Sequence, residues 1–186
     1  MSFRSIIIVV CVVLCACNNE ERVIREIKEM SGREIVFPSG YISLSLDKSY
    51  PVDSLLLQDV KIVSYIDNLP CTSCGVRMLH AWIDNIYEID SKVPYIIVVH
   101  TPQKQILFES IDSMRLTLPL MYYDTPVFGD VNHLDVLARN KTFLLDKRNN
   151  IVIVGEPWNN AYLTKLYSQT IDSLRKTYES HKCHQQ

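Results

Sequence analysis

Two kinds of apolar pattern alternate along the chain and predict an alternation of strands and helices. Near-continuous β-prone runs at 59–67 and 93–99 are typical of buried parallel strands. Apolar residues at helical spacing predict amphipathic helices, and two short apolar runs around a polar turn predict a hairpin. The predicted elements are a helix or tether at 20–30, strands at 34–38, 41–46, 59–67, 93–99 and 119–123, helices at 72–89, 103–116, 131–138 and 159–176, and a hairpin of 141–146 with 150–155. This order predicts an α/β fold in which helices cover both faces of a mixed central sheet.

The first 16 residues have a pattern of their own. Arg4 is their only charge, and the run from Ile6 to Ala16 is uncharged and mostly apolar. Such a run is too short for a permanent membrane helix, which needs roughly 20 residues. A short basic region followed by a short apolar region is typical of a secretory signal. A buried helix or strand is the alternative, and the polar pair Asn18-Asn19 disfavours it.

The end of this region, Leu14-Cys15-Ala16-Cys17, resembles the lipobox of bacterial lipoproteins. The resemblance implies cleavage before Cys17, acylation of that cysteine with palmitate-type chains, and anchoring to a bacterial membrane of the cell envelope. Glu20-Glu21 is similar to the acidic signals for surface export in some Bacteroidota, so the expected location is periplasmic or at the outer-membrane surface. An ordinary signal peptide with incidental cysteines is the alternative.

The rest of the chain has the size and composition of one globular domain. The net charge is −2, and loss of Arg4 with the signal makes it −3. A chain with this balance lacks a broad basic surface, which argues against a nucleic-acid partner. We expect a signal peptide at 1–16, a tether or helix at 17–33, the folded domain at 34–178 and a tail at 179–186.

The clearest chemical motif is Cys71-Thr72-Ser73-Cys74, which comes at the start of the predicted helix 72–89. Helix geometry places residues i and i+3 on one face. Unpaired N–H groups and the helix dipole at an N-terminus favour a thiolate on the first cysteine, and a thiolate is the species that attacks a disulfide. The motif therefore indicates dithiol–disulfide chemistry.

Metal binding is the alternative interpretation of the same motif. Cys71 and Cys74 would be two zinc ligands, and His181, Cys183 or His184 would supply the others. A c-type haem site needs a histidine directly after the second cysteine, where this chain has Gly75. We expect neither a metal nor another cofactor.

The β/α order with Cys-x-x-Cys at a strand–helix junction resembles the thioredoxin-like fold, a three-layer sandwich, from about Ile35 to Tyr178. Motifs downstream extend the resemblance to thioredoxin-like lipoproteins of Bacteroidota, including thiol–disulfide oxidoreductases and redoxins. These motifs are Trp82, the segment Thr142-Phe143-Leu144-Leu145-Asp146, Ile151-Val152 and Gly155-Glu156-Pro157.

The resemblance implies a role for each thiol. Cys71 would be the nucleophile that forms a mixed disulfide with a substrate, and Cys74 the resolving thiol that closes a redox-active Cys71–Cys74 disulfide. The expected function is a membrane-anchored thiol–disulfide oxidoreductase that acts on disulfide- or thiol-containing exported proteins, with a membrane thiol reductant as electron donor. The alternative is a non-enzymatic lipoprotein of the same fold that binds a protein, peptide or small ligand, with a structural or vestigial disulfide.

Two positions depart from the thioredoxin pattern. Lys141 stands where thioredoxins have a cis-proline before a strand, and Tyr65 stands where they have a buried acid. Lys141 would favour the thiolate electrostatically, or it is an ordinary loop lysine pointing at solvent. Asp67 shares the strand parity of Tyr65 and is the candidate substitute for the acid, or it is a solvated residue ending the strand.

Other residues with possible chemistry have simpler interpretations. His100 ends a predicted strand and is expected to be structural. Trp82 is expected to be a packing residue of its helix, with a place at the border of the active site as the alternative. Three further aromatic residues are expected to pack in the core or at its edge, with a peptide groove as the alternative: Tyr122, Tyr123 and Trp158.

Overall fold

A computed structural model describes residues 21–44, 51–67, 86, 88–113, 119–134, 141–158 and 160–183. Residues 181–183 are described by their backbone alone. The Cys71–Cys74 motif, Cys17 and Trp82 lie outside the described residues. No helix within those ranges is both long and apolar enough to cross a membrane.

Six strands form one mixed sheet in the order β1-β4-β3-β2-β5-β6. The strands are β1 Ile42–Leu44, β2 Lys61–Asp67, β3 Tyr95–His100, β4 Leu120–Tyr123, β5 Thr142–Leu145 and β6 Ile151–Val154. The central strands β2, β3 and β4 are parallel, whereas β1 pairs antiparallel with β4 and β5 pairs antiparallel with both β2 and β6. The predicted mixed sheet is therefore confirmed.

Helices cover both faces of this sheet. They are α1 at 21–30, α2 Val52–Leu56, α3 Lys104–Ser113, α4 Val127–Asn132 and α5 Ala161–Cys183, and the backbone is also helical at 86, 88 and 89. One hydrophobic cluster joins alternate strand residues to Ile86, Ile89, α3 and α5. The other cluster joins the intervening strand residues to α1, α2 and α4. Side chains alternate between the faces of a strand, so one apolar run fills both layers.

The hairpin between β5 and β6 depends on one aspartate. Asp146 Oδ1 accepts hydrogen bonds from the backbone N–H groups of Arg148 and Asn150, both at 2.8 Å. Asn149 has a φ of 63°, in the left-handed region that asparagine tolerates better than most residues. The polar turn that predicted a hairpin therefore has the side chains that close it.

The end of the sheet where β2 begins contains a buried lysine. Lys61 is completely buried, and its Nζ donates to the carbonyl oxygens of Gln58 at 3.0 Å and Asp146 at 3.2 Å. Burial lowers the pKa of Lys61, while the Asp146 and Asp59 carboxylates act in the opposite direction. A buried cation is tolerated here because its amine has hydrogen-bond acceptors.

The segment after α1 differs from the prediction of a strand at 34–38. It makes one isolated bridge, between Glu34 and Asn150, rather than a continuous ladder. Backbone hydrogen bonds from Gly32 to Ile151, from Ile151 to Arg33 and from Ile35 to Asn149 hold residues 32–35 along the free edge of β6. The pairing is antiparallel, so residues after Ile35 run past the turn at 146–149 and have no strand of this hairpin to pair with.

Asn132 fixes the same segment to α4. Its side chain accepts from the N–H of Val36 at 2.8 Å and donates to the carbonyls of Val36 at 2.8 Å and Phe128 at 2.9 Å. Arg33 donates to the Asn132 carbonyl at 3.0 Å. Met30 and Ile35, on either side of the predicted tether boundary at residue 33, both lie in the core.

Three helices differ from the sequence prediction. Helix α4 spans Val127–Asn132, earlier than the predicted 131–138, because Pro126 suits the start of a helix and His133 ends it with a left-handed φ of 52°. Helix α2 follows Pro51 and was not assigned from the sequence. Helix α5 continues to Cys183, so residues 179–183 of the expected tail are helical. Tyr178 extends its apolar stripe by one turn and packs against the core.

Candidate functional site

The carboxyl ends of the three parallel strands meet at one edge of the sheet. Asp67 is the last residue of β2 and His100 the last residue of β3, and the parallel register pairs them directly. His100 is paired in turn with Tyr123, the last residue of β4. Ligand sites in open α/β sheets lie outside the carboxyl ends of the strands, so polar side chains at this edge are candidates for function.

Strand β5 brings Lys141 to the same edge. Thr142 lies opposite Ser64, and the carbonyl of Lys141 accepts the N–H of Tyr65 at 2.8 Å. Lys141, Asp67 and His100 share strand parity with residues of the cluster that packs under α4, so their side chains emerge on that face. Lys141 therefore lies diagonally across from Asp67.

The three side chains make a partly buried ion cluster, which we call the edge cluster: Asp67, His100 and Lys141. His100 Nδ1 is 3.3 Å from Asp67 Oδ1, and Lys141 Nζ is 3.7 Å from Asp67 Oδ2. Each cationic or potentially cationic group thus faces a different carboxylate oxygen. The side chains are 28%, 16% and 21% exposed for Asp67, His100 and Lys141, so the cluster is reachable from solvent and less screened than a surface pair.

Aromatic side chains connect Lys141 to helix α4. Its Nζ is 5.4 Å from the centroid of the Tyr65 ring, within range of a cation–π interaction. The Tyr65 ring packs on Phe128 of α4 with centroids 5.2 Å apart. A Cβ at Gly129 would lie 2.6 Å from the Tyr65 hydroxyl, so only glycine lets α4 approach this closely. Helix α4 therefore positions Tyr65, and Tyr65 positions Lys141.

A buried chain of hydroxyl groups holds the same strands together on the opposite face. The Tyr95 hydroxyl donates to Ser64 Oγ at 2.9 Å, and Ser64 Oγ is 2.7 Å from Thr142 Oγ1. Burial raises the pKa of Tyr95 well above its usual value, and its hydrogen bond with Ser64 acts in the opposite direction. These bonds join β3, β2 and β5 one residue away from Lys141, so they fix the strand ends that carry the edge cluster.

The structure brings together the two possible modulators predicted from the sequence. Asp67 is not simply a solvated residue at the end of a strand, and Lys141 does not point freely into solvent, because they face each other. His100, expected to be only structural, joins them. The signal that would have identified His100 is its position at the end of the strand that follows β2, since neighbouring parallel strands end side by side.

Other sequence predictions have separate outcomes. Tyr122, Tyr123 and Trp158 are at least 90% buried, which confirms packing rather than an open groove. Cys71, Cys74 and Cys17 lie outside the described residues, so their roles stay predictions. The same holds for zinc binding: the part of the chain with described side chains has no group of three potential metal ligands, and His181, Cys183 and His184 fall outside that part.

No family model matches the chain, and no curated protein matches it. Among solved structures, it is similar to the solution structure of "a putative protein disulfide isomerase" from Bacteroides thetaiotaomicron, with 16% identity, a TM-score of 0.48, and coverage of 81% of this chain and 94% of that one. It is also similar to the crystal structure of StoA from Bacillus subtilis, with 16% identity, a TM-score of 0.40, and coverage of 52% and 72%.

The strand order gives the fold class. Parallel strands β2, β3 and β4 are followed by an antiparallel hairpin that pairs with β2, and helices lie on both faces. The mixed sheet between two helical layers is the α/β architecture that the thioredoxin-like resemblance of the sequence predicts, and the edge cluster lies at the carboxyl end of its central strand.

Proposed function

We propose that this protein is a thiol–disulfide oxidoreductase that acts through Cys71 and Cys74. The observation that carries the proposal is the Asp67–Lys141 pair at the carboxyl end of β2, 3.7 Å apart. Cys71 follows Asp67 by four residues in the sequence, a length of chain that reaches at most about 14 Å. The chain therefore cannot carry Cys71 farther than about 14 Å from a carboxylate that is paired with a cation.

The reaction proceeds by two thiol–disulfide exchanges. The Cys71 thiolate attacks one sulfur of a substrate disulfide, which forms a mixed disulfide and releases one substrate thiolate. The Cys74 thiolate then attacks the Cys71 sulfur, which releases the second substrate thiolate and leaves a Cys71–Cys74 disulfide. The substrate gains two electrons and the protein loses two, so a thiol reductant must return them for turnover.

Charges of the edge cluster suit this chemistry. A nearby cation favours the charged form of a thiol, and a nearby carboxylate can take up or return a proton. Lys141 supplies the first and Asp67 the second, and both remain partly exposed to solvent. The substrates we propose are exported proteins with disulfides or thiols, and a membrane thiol reductant is the proposed electron source.

Reduction of insulin disulfides, followed in the presence of dithiothreitol, tests the proposal. The full-length protein in detergent should accelerate reduction, and Cys71→Ser should abolish the effect. Cys74→Ser should stop turnover and accumulate mixed disulfides, whereas Cys183→Ser is the matched control and should keep the rate. Equal rates for the protein and Cys71→Ser would contradict a role for the dithiol.

We also propose a lipid anchor at Cys17 that holds the protein at a bacterial envelope membrane, on the periplasmic side or at the outer-membrane surface. The support is Leu14-Cys15-Ala16-Cys17 at the end of an apolar run. Metabolic labelling with palmitate should mark the native chain and not Cys17→Ser, with Cys15→Ser as control. Palmitate label on Cys17→Ser as well as on Cys15→Ser would contradict anchoring at Cys17.

A non-enzymatic binding role is the second candidate, and the replacement of the thioredoxin proline by Lys141 favours it. A lysine whose amine is already engaged by Asp67 stands where a thioredoxin has the proline that contacts substrate. In this alternative the Cys71–Cys74 bond is structural or vestigial, and the fold binds a protein, peptide or small ligand. A Cys74→Ser variant that traps no mixed disulfide in cells, together with an inactive insulin assay, would support it.

A further inference from the structure

We propose that Asn132 couples the docking of residues 33–38, which we call the docked segment, to the position of Lys141 in the edge cluster. Release of the docked segment from α4 should loosen the Lys141 amine, which lies 3.7 Å from Asp67 Oδ2. The value of this coupling for activity rests on the proposed function, whereas the coupling itself rests on contacts among described residues.

Asn132 holds the docked segment with its side-chain carbonyl and both amide hydrogens. It is 3% exposed. Its Oδ1 accepts from the N–H of Val36 at 2.8 Å, and its Nδ2 donates to the carbonyls of Val36 at 2.8 Å and Phe128 at 2.9 Å. Arg33 donates to its backbone carbonyl at 3.0 Å. Buried polar groups are costly to leave unpaired, so the segment and the end of α4 are held as one unit.

Helix α4 depends on such contacts for its position. It has only six residues, Val127–Asn132. Isolated helices shorter than roughly 12 residues are marginal in water, so tertiary contacts must hold one as short as this. Loss of the Asn132 side-chain bonds should therefore free the last turn of α4.

The Phe128 ring connects α4 to both the docked segment and the sheet. Its centroid is 5.6 Å from that of Phe37 in the segment and 5.2 Å from that of Tyr65 in β2. The backbone of Gly129 also approaches the Tyr65 hydroxyl too closely to leave room for a Cβ. Closely packed interiors transmit displacements, so a shift of α4 moves Tyr65 or leaves its ring unsupported.

Tyr65 contacts Lys141 through its backbone and through its ring. Its N–H donates to the Lys141 carbonyl at 2.8 Å, and its ring centroid is 5.4 Å from Lys141 Nζ. A partly exposed ion pair is worth little by itself. Without the ring beneath its amine, Lys141 should leave Asp67 for solvent more often.

The docked segment is the element of this layer that has two states, docked and released. It makes one isolated bridge, between Glu34 and Asn150, whereas β2 and β5 pair in a continuous register. Val36 is 46% exposed although Asn132 holds its backbone. Regions with few backbone bonds and exposed side chains open at a lower free energy than core strands. Release of the segment is therefore the input, and the position of Lys141 is the output.

Acylation of lysine amines by an N-hydroxysuccinimide ester, read by mass spectrometry in the full-length protein in detergent, tests the coupling. The rate at Lys141 is divided by the rate at Lys104, whose amine is paired with Asp124 on the other face of the sheet. Asn132→Ala removes the side-chain bonds to the docked segment, and Arg33→Met is a milder change.

Arg175→Met is the matched control for general destabilisation. It removes a contact between distant parts of the chain, the ion pair with Asp90, on the face of the sheet opposite α4. Hydrogen exchange at the Tyr65 amide, measured by mass spectrometry with residue-level fragmentation, is the second readout. This amide donates to the Lys141 carbonyl, so it reports whether β2 and β5 separate at the edge cluster.

We expect Asn132→Ala to raise the ratio of Lys141 to Lys104 acylation at least about fivefold, Arg33→Met about twofold, and Arg175→Met not at all. Exchange at the Tyr65 amide should rise in the same order. An unchanged ratio in Asn132→Ala, with faster exchange confined to residues 33–38, would overturn the coupling. An equal rise in Arg175→Met would overturn it as well. Should Asn132→Ala not fold, an unchanged ratio in Arg33→Met would decide against it.

Neither readout requires turnover, so the coupling and the proposed function fail separately. An unchanged acylation ratio beside an active insulin assay would reject the coupling and retain the oxidoreductase. A raised ratio beside an inactive insulin assay would retain the coupling and reject the oxidoreductase.

Discussion

Two lysines lie near opposite ends of β2, and their different partners give them different roles. Lys61 is fully buried and its amine is held by two backbone carbonyls. Lys141 is 21% exposed and faces the carboxylate of Asp67, which also faces His100. Those two carbonyls belong to the folded backbone, so the first arrangement serves the fold. The second joins side chains that stay partly exposed at the end of the sheet, so its charges remain accessible from solvent.

The largest expected effect is on the stability contributed by Lys61. Lys61→Ala leaves a cavity and two carbonyls without their donor, which should cost about 3–5 kcal/mol of unfolding free energy. Lys61→Met keeps most of the volume and removes a buried charge, so it should cost at least ~1 kcal/mol less. Denaturant unfolding measures both values. Equal costs below ~1 kcal/mol for the two variants would show that the amine is not structural.

Asp90 combines features of the two lysines, because it is largely buried and also pairs with a side chain of opposite charge, that of Arg175. Burial acts to raise its pKa, but the Arg175 guanidinium and the N–H groups of Lys92 and Val93 outweigh burial and lower the pKa. The carboxylate is thus bonded to α5 and to its own turn.

Asp90→Asn should therefore cost about 1–2 kcal/mol at pH 7. A lowered folded-state pKa stabilises the fold above the unfolded value of about 3.9, and this contribution disappears as the pH falls through the folded value. The difference between wild type and Asp90→Asn should accordingly shrink at acidic pH. Asp172→Asn, exposed on α5, is the control. A difference that stays constant down to acid would contradict the ion-pair explanation.

The smallest expected effect on stability is at Lys141. Partly exposed ion pairs contribute little, so Lys141→Met should change the unfolding free energy by less than about 1 kcal/mol. The same substitution should slow Cys71 alkylation at neutral pH, because it removes the cation beside Asp67. Lys165→Met, exposed on α5, should change neither quantity. A stability loss as large as that of Lys61→Ala would remove the distinction between the two lysines.

The sequence pattern predicted most of the helices and strands, but not all of their first and last residues. The runs at 59–67 and 93–99 became β2 and β3 with small shifts, because a strand buried on both faces must be continuously apolar. Helix α2 was missed since five residues are too few to show a helical period. The strand expected at 34–38 had the right composition, but a ladder also needs a partner and an N–H at every donor position.

The candidate site was predictable in part. Asp67 was found from its place before Cys71 and its strand parity with Tyr65, and Lys141 was found from the resemblance to the thioredoxin pattern. That they meet depends on β2 lying between β3 and β5, a long-range pairing that no local pattern records. His100 was overlooked for the same reason, because only the register of β2 with β3 places it beside Asp67.

Residues 32–35 have a consequence for where the chain can be shortened. They pair with Ile151 at the start of β6, and an unprotected strand edge invites pairing with another chain. Cleavage between residues 33 and 34, where sequence composition alone would start the domain, would remove Met30 from the core and uncover that edge. A recombinant version that begins at residue 34 should therefore aggregate through β6, whereas one that retains α1 should stay dispersed.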